Sequence, residues 1–462
     1  MIQQQNCFHE LFAYLGKLKY TILFLGLVIW LFSPMLGLIP LLVFSQIDVS
    51  QSVIKNIRKK NYILNYFCIL AVLFTVTITA STYSVVGDLK EYTRIYDQLG
   101  GTNFFDFFEK INMEPVTFII PDLVKRYFYL NKFDFILLQA ITMNCAYFAL
   151  ARVFMPNYYP TVIMLNICSS SYFQQVFLMR QYYSFIFLVA FIYLGNWKYK
   201  LALGLIALFT HSSTVMFTIP QIFVTMVIAG QRVKHGRDDS ISILKLVQSF
   251  QQWLTKLLLS RFVFVALLTI ALSFILLSGS GFITNIQFLL GNNDSVKEVS
   301  PRLASVILRY ANKNYLLGLS RDLWKGVFID TLFLPLLLVK IKFNREPLVC
   351  HLWFLAFAST AISLAMFYFG IPAFGRLVYF LSGLSGFFYT FVLKSSNLSH
   401  KPNFFLFAII GAISAKIVYF YYFLFSFLRS DGARYLWGGH VIQANIYDYI
   451  EYLLALHNRG MN

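Results

Sequence analysis

The chain has 462 residues, of which 58% are hydrophobic and only 13% charged. A soluble protein of this size carries about 25% charged residues, so the composition excludes an ordinary soluble enzyme. It fits a polytopic membrane protein whose outer surface is solvated by lipid. The formal net charge is +18, yet the basic residues are scattered among apolar runs and form no basic domain, which excludes a nucleic-acid-binding module. Some of them anchor spans at the cytoplasmic face, and the rest call for another partner, for which an anionic ligand is a candidate. The five cysteines, Cys7, Cys68, Cys145, Cys168 and Cys350, show no metal-ligand spacing and read as packing thiols.

A helix that crosses the ~30 Å apolar core needs about 20 residues. The first apolar run, Tyr20 to Phe44, reads as span 1. It is longer than a signal-peptide core and lacks a small-residue cleavage site. The basic loop that follows, with Lys55, Arg58, Lys59 and Lys60, is cytoplasmic by the positive-inside rule, which puts the N-terminus outside. Span 2 covers about 62–80. Residues 81–131 then form a first external loop, rich in aromatics and carrying Asp88, Glu91, Asp97, Asp106, Glu109, Glu114 and Asp122. Within it, Val116 to Phe128 is expected as a short interfacial helix.

Spans 3 and 4 cover about 133–154 and 161–177, and span 5 covers about 182–194. Arg180 and Gln181 therefore open span 5 at the external side. The basic turn with Lys198 and Lys200 lies at its other end. Residues 199–230 are apolar for about 30 positions but are interrupted by Thr210, His211, Ser212, Ser213 and Thr214. Basic residues flank both ends, so the charge rule favours a broken or re-entrant segment over one straight crossing. Non-helical backbone at depth must line a cavity, so His211 is expected to face one.

Residues 231–260 read as a cytoplasmic amphipathic segment. Residues 278–325 form a second external loop with Lys297, Arg302, Arg309, Lys313, Arg321 and Lys325. Arg302 and Arg309 are seven apart and would share a helix face. Further spans are expected at about 261–277, 327–339, 348–369, 377–393 and 404–427, with Arg376 after an external Gly-Pro turn. The C-terminal stretch with Tyr447, Tyr449, Leu453 and Leu454 reads as an interfacial helix outside. The expected fold is all-α and polytopic, with about 11 hydrophobic segments in one transmembrane domain over 1–462. The internal repeat of many transporters is not visible.

The sequence holds no P-loop, dinucleotide glycine pattern, His-Glu-x-x-His or Asp-x-Asp motif, so no cofactor and no metal are expected. Arg180 and Arg376 have two readings each. One is an anchor that snorkels to water; the other is a fork that grips a phosphate or pyrophosphate bidentately. His211 is either a hydrogen-bonded structural residue or a group that handles a hydroxyl proton near neutrality. Asp88 and Glu114 are either solvated loop residues or ligands and rival bases.

Four features in this order resemble the EpsG-like branch of the Wzy-type polysaccharide (O-antigen) polymerases. They are Gly87-Asp88 with Tyr92 and Tyr96; Glu114-Pro115; Arg180-Gln181 followed about thirty residues later by His211-Ser212; and Arg376 with Tyr379-Phe380. The family's arginine before the Gly-Asp stretch is replaced here by Ser81-Thr82-Tyr83-Ser84, and the insert at 231–260 is unmatched. The resemblance implies a GT-C-like multi-span architecture without a soluble domain, in a bacterial inner membrane with a periplasmic active site. It implies a metal-independent glycosyltransferase whose donor and acceptor are undecaprenyl-pyrophosphate-linked oligosaccharides, with membrane lipid and a chain-length regulator protein as further partners. Arg180, His211 and Arg376 would be catalytic. Gln181, Asp88, Glu114, Tyr92, Arg302, Arg309 and Ser212 would bind substrate. The competing readings are a lipid-linked oligosaccharide flippase or transporter, and a glycan ligase.

Overall fold

A computed structural model describes residues 16–54, 63–82, 88–100, 116–128, 130–169, 179–194, 196–211, 385–395, 404–426 and 442–456, with a few isolated positions between them. Nearly all of these belong to one compact unit, built from Met1–Thr218 and Gly383–Asn462. All regular structure among the described residues is helical. Three helices there are long and apolar enough to cross a membrane: Pro34–Ser52, Ile63–Ser81 and Lys132–Phe154.

The run expected as span 1 is two helices. α1, Lys19–Phe32, ends at Ser33, and α2, Pro34–Ile54, starts at once. The cause is local. Ser33 precedes a proline, which disfavours helical geometry there, and it adopts φ −150°, ψ 90°. Pro34 then supplies a first helical residue whose missing N–H has no intrahelical role. The chain folds back on itself, so Gly37 meets the backbone of Trp30; a Cβ at position 37 would lie 2.6 Å from the Trp30 Cα. Only glycine permits that approach. The N-terminal end of α1 therefore lies beside the far end of α2, where the Lys19 ammonium pairs with the Asp48 carboxylate in a buried ion pair. The N-terminal end of α1 is thus on the same side as the C-terminal end of α2, whereas a single span over 20–44 would place them on opposite sides. At 14 residues, α1 is about 21 Å long, short of the ~30 Å apolar core.

α3, Ile63–Ser81, runs antiparallel to α2. Asn65 Nδ2 donates to the Ser45 carbonyl at 3.1 Å near one end, and Thr79 Oγ1 meets Met35 Sδ at 3.3 Å near the other. Trp30 Nε1 donates to Thr75 Oγ1 at 2.8 Å and ties α1 to α3. Then come α4, Asp88–Gln98, a 3₁₀ turn at Val116–Phe118 and α5, Ile119–Phe128. α4 was expected as loop. Its helix is nonetheless written in the spacing of Leu89, Tyr92, Ile95, Tyr96 and Leu99, all buried, at three- and four-residue intervals. α5 keeps Ile119, Ile120, Leu123, Tyr127 and Phe128 exposed, as an interfacial helix does.

α6, Lys132–Phe154, opens with a capping box: the Asn131 side chain accepts from the backbone of Phe133 and Asp134, and Asp134 answers to the Asn131 N–H. α7, Tyr159–Ile167, returns after a tight turn, and is shorter than the expected span 4. Gln46 of α2 caps it, its Oε1 accepting from Thr161 N at 3.2 Å and Thr161 Oγ1 at 2.9 Å. α8, Met179–Tyr193, and α9, Trp197–Thr210, form a second hairpin. Lys200 Nζ donates to the Ile192 carbonyl at 3.2 Å, closing the last turn of α8 with a cation.

α10, Ser385–Ser395, packs on α7 so closely that a Cβ at Gly386 would lie 2.6 Å from the Val162 carbonyl oxygen. α11, Phe404–Ser426, buries Lys416, whose Nζ donates to Ser385 Oγ at 3.0 Å. α12, Ile446–Leu456, lies across the end of α3, where Tyr449 meets Thr79 Oγ1 at 3.0 Å and Tyr452 donates to the Ser81 carbonyl at 3.0 Å. Its outer face leaves Tyr447, Ile450 and Leu454 exposed. Of the other expected features, the amphipathic segment 231–260, the loop 278–325 and the spans at 261–277, 327–339 and 348–369 lie outside the described residues.

Lys19→Met is expected to destabilise the protein by about 3–5 kcal/mol, because the buried Asp48 carboxylate loses its cationic partner. Lys19→Met combined with Asp48→Leu should recover most of that loss. Thermal unfolding of the detergent-solubilised variants checks this; a double variant no more stable than the single one refutes it.

Candidate functional site

The hairpin of α8 and α9 sets the geometry. Arg180 lies in the first turn of α8, and His211 caps the end of α9. Each is about 20 Å from the connecting turn at 1.5 Å per residue, so both arrive at the same end of the hairpin. α9 stops at Thr210, and His211 is extended, with φ −157° and ψ 118°. The helix thus breaks where the polar patch begins. The rest of the 199–230 segment, Ser212 included, lies outside the described residues apart from Thr218 and Gln221.

α4 supplies the surface on which Arg180 rests. The guanidinium lies over the ring of Tyr92, 5.7 Å from its centroid, and Nε meets the Tyr92 hydroxyl at 3.4 Å. Tyr92 in turn packs on Phe118 from the 3₁₀ turn, with ring centroids 6.1 Å apart. That turn also touches α8 and α9. Asp88 opens α4 one helical turn before Tyr92. Gln181, beside Arg180, is buried, and its Oε1 has no hydrogen-bond partner among the described residues. Of the residues singled out in the sequence, Arg180, Gln181, Tyr92 and the end of α9 at His211 are therefore brought to one end of the unit, with Asp88 on the element that supports them. Glu114, Ser212, Arg302, Arg309 and Arg376 lie outside the described residues.

The platform under Tyr92 is held by its own contacts. Tyr96, one turn further along α4, stacks on Phe135 of α6 with centroids 4.4 Å apart and donates to the Leu130 carbonyl at 2.9 Å. Burial, with Asp134 and Asp97 adding negative charge nearby, pushes its phenol up to about 12, so it stays protonated and keeps donating at neutral pH. Lys125 of α5 caps α4 from the side: its Nζ donates to the carbonyls of Tyr96 at 2.6 Å and Asp97 at 2.7 Å. Asp122 accepts from Gly100 N at 3.2 Å and from Arg126 Nε at 2.7 Å. On the exposed face, Arg94 bonds Glu91 in two places, at 2.9 and 2.6 Å, and holds that carboxyl below its usual range.

Charge is distributed unevenly along this unit. The end bearing the α8–α9 turn also carries Lys17, Lys19, Arg152, Lys198 and Lys200. The end bearing Arg180 is mixed, carrying Glu91, Asp97, Asp122, Asp134 and Asp448 together with Lys90, Arg94, Lys125, Arg126 and Lys132. Among the described residues no group of three or more His, Cys, Asp or Glu side chains is placed to hold a metal ion. Sequence reading did not single out Gln139 of α6, which accepts from the Tyr183 hydroxyl of α8; a glutamine on the buried face of an apolar helix is the signal that marks it. Comparison with protein-family models, with curated proteins and with solved structures finds no match for this chain.

Tyr96→Leu is expected to destabilise the α4 platform by about 3 kcal/mol, through loss of a buried ring. Amide exchange along 88–99 and 119–128 should accelerate while α2 and α3 keep their protection. Tyr92→Phe keeps the ring under Arg180 and should leave exchange along α4 within about threefold of the parent, since a cation–π contact is worth about 0.5–2 kcal/mol. Uniform acceleration through all helices in either variant would contradict this division.

Proposed function

We propose that this chain is a membrane glycosyltransferase of the Wzy-type, EpsG-like kind, a polysaccharide polymerase. It would transfer a growing glycan from undecaprenyl pyrophosphate to the terminal sugar hydroxyl of another lipid-linked repeat unit. The proposal rests on the resemblance in motif order. The observation that carries it is the presentation of Arg180: a guanidinium in the first turn of a helix, backed by the aromatic ring of Tyr92. A cation at a helix N-terminus opposes the macrodipole, whereas an anion there is favoured by the dipole and by the arginine together. The arrangement suits a ligand with negative charge that leaves again.

The short basic stretches of the sequence, 55–60 and 198–200, are cytoplasmic by the positive-inside rule. Arg180 and the end of α9 then face the periplasm of an inner membrane. In the reaction, the acceptor hydroxyl oxygen attacks the anomeric carbon of the donor glycan. The bond from that carbon to the pyrophosphate oxygen breaks, and the electron pair leaves with the pyrophosphate. Direct attack inverts the anomeric configuration. Charge develops on the leaving group, so fixed cations aimed there lower the barrier; Arg180 and Arg376 take this role, with Arg302 and Arg309 as further ligands. The hydroxyl proton passes to a base within hydrogen-bond reach, assigned to His211, with Asp88 and Glu114 as rivals. Tyr92 carries the arginine, and Ser212 lies next to the base in sequence. A chain-length regulator protein would set where polymerisation stops.

Arg180→Ala is expected to reduce chain extension about 10²–10³-fold, the usual loss for one charge-stabilising donor. Arg180→Lys should fall between, since it keeps the charge and loses the fork. Gel analysis of cell-surface glycan reads this directly: single capped units persist and the ladder disappears, and the same holds for Arg376→Ala. Normal ladders in both alanine variants sink the proposal, and loss of all glycan in a deletion strain points to a flippase or a ligase.

A further inference from the structure

The helices around Arg180 enclose a polar group that the proposed reaction does not use. Three pair contacts close a triangle of α4, α6 and α8. Arg180 of α8 lies on Tyr92 of α4. Tyr96 of α4 stacks on Phe135 of α6. Gln139 of α6, one turn beyond Phe135, accepts from the Tyr183 hydroxyl of α8. Arg180 and Tyr183 are three apart on α8, so they share a face and are separated by one turn. The residue that meets Gln139 therefore starts about 5 Å further along α8 than Arg180, one turn towards the apolar core.

Gln139 is 1% exposed. The Tyr183 hydroxyl donates to its Oε1, so Nε2 is the unmatched end of the carboxamide. Its Nε2 then presents two hydrogens, and that nitrogen has no acceptor among the described residues. In a span, where no water substitutes for a missing partner, such a donor is costly. A helix built of Leu, Ile and Phe at this depth gains nothing from it unless an acceptor arrives.

We propose that Gln139 is a further ligand of the anion held at Arg180, its Nε2 donating to a phosphate oxygen on the lipid side of that group. The inference rests on the reading of Arg180 as a phosphate fork. Two donor levels separated along the helix axis suit a pyrophosphate carried on a lipid, with its outer phosphate at the guanidinium and its inner phosphate at the carboxamide. Gln139 thereby selects for a two-phosphate group.

The test measures binding of geranylgeranyl pyrophosphate to the full-length protein in detergent micelles. Geranylgeranyl monophosphate and inorganic pyrophosphate serve as the other probes. Gln139→Glu keeps the acceptor for Tyr183 and replaces the donor by a carboxylate, so affinity for the pyrophosphate lipid should fall tenfold or more, by about the loss of one hydrogen bond to a charged group. Gln139→Met should lose less, and its unliganded melting temperature should change little, because the unpartnered Nε2 is removed while the Tyr183 hydroxyl loses its acceptor. Arg180→Ala should abolish binding of all three probes. If Arg180→Ala loses binding while both Gln139 variants bind as the parent does, the inference falls and the Arg180 site stands. If Arg180→Ala binds normally, the phosphate fork falls and this inference with it. Tighter binding of inorganic pyrophosphate than of the lipid would make the ligand a free anion and overturn the lipid assignment. A lowered melting temperature in Gln139→Met with unchanged affinity would make Gln139 a structural residue.

Discussion

Helices in lipid gain little from hiding apolar side chains against one another, because the solvent outside is as apolar as the interior. Their register must come from polar contacts and from close backbone approach. That constraint explains where this chain spends its buried polar residues. Lys19 and Asp48 fix the α1–α2 hairpin. Gln46 reaches from α2 to cap α7. Asn65 joins α3 to α2 and accepts from Tyr159. Asn144 of α6 donates to Thr77 at 3.2 Å and accepts from Tyr172 at 2.7 Å. Gly37 and Gly386 let backbones touch where side chains would hold them apart. Each contact selects one alignment out of several that the apolar surfaces alone would accept equally well.

The same constraint separates the polar groups that hold the bundle from those that do not. Gln46, Asn65 and Asn144 have partners at both ends of their side chains, and their cost is offset inside the fold. Gln139 and Gln181 each leave one end of the carboxamide unmatched, and both sit on the two helices nearest Arg180. A chain shaped for stability alone would place leucine at both positions. Unmatched polar atoms are not confined to that end: Ser45 Oγ, the Tyr193 hydroxyl and both ends of the Asn166 carboxamide also lack a partner among the described residues.

Much of this was legible in the sequence, and the misses have physical causes. The Arg180 and His211 pairing could be read because two apolar runs of similar length flank a short basic turn, which forces their far ends together. Composition announced the helical class for the same reason: lipid admits few other folds. The α1–α2 break was missed because Ser33 and Pro34 sit inside one unbroken apolar run, and proline is tolerated in membrane helices often enough to hide a turn. α4 was missed because acidic residues dominate its outer face and mask the spacing of Leu89, Tyr92, Tyr96 and Leu99. Asp48 drew no notice in the sequence, because its meaning depends on Lys19, 29 positions earlier, which becomes a neighbour only after the turn. The fork and the ring beneath it were both visible as residues, but that Tyr92 carries Arg180 is a tertiary fact, since 88 positions separate them.

The position of Arg180 ties these threads together. At the start of α8 it faces the positive end of the helix dipole, a placement that works against a cation by about 0.3–1 kcal/mol. The ring of Tyr92 offsets part of this by offering its negative face. A carboxylate in the place of Tyr92 would hold the arginine more strongly. The aromatic partner stands instead on a platform whose own charges are paired elsewhere through Asp122, Lys125 and Glu91, so the arginine is positioned by a ring and not by a fixed opposite charge on α4.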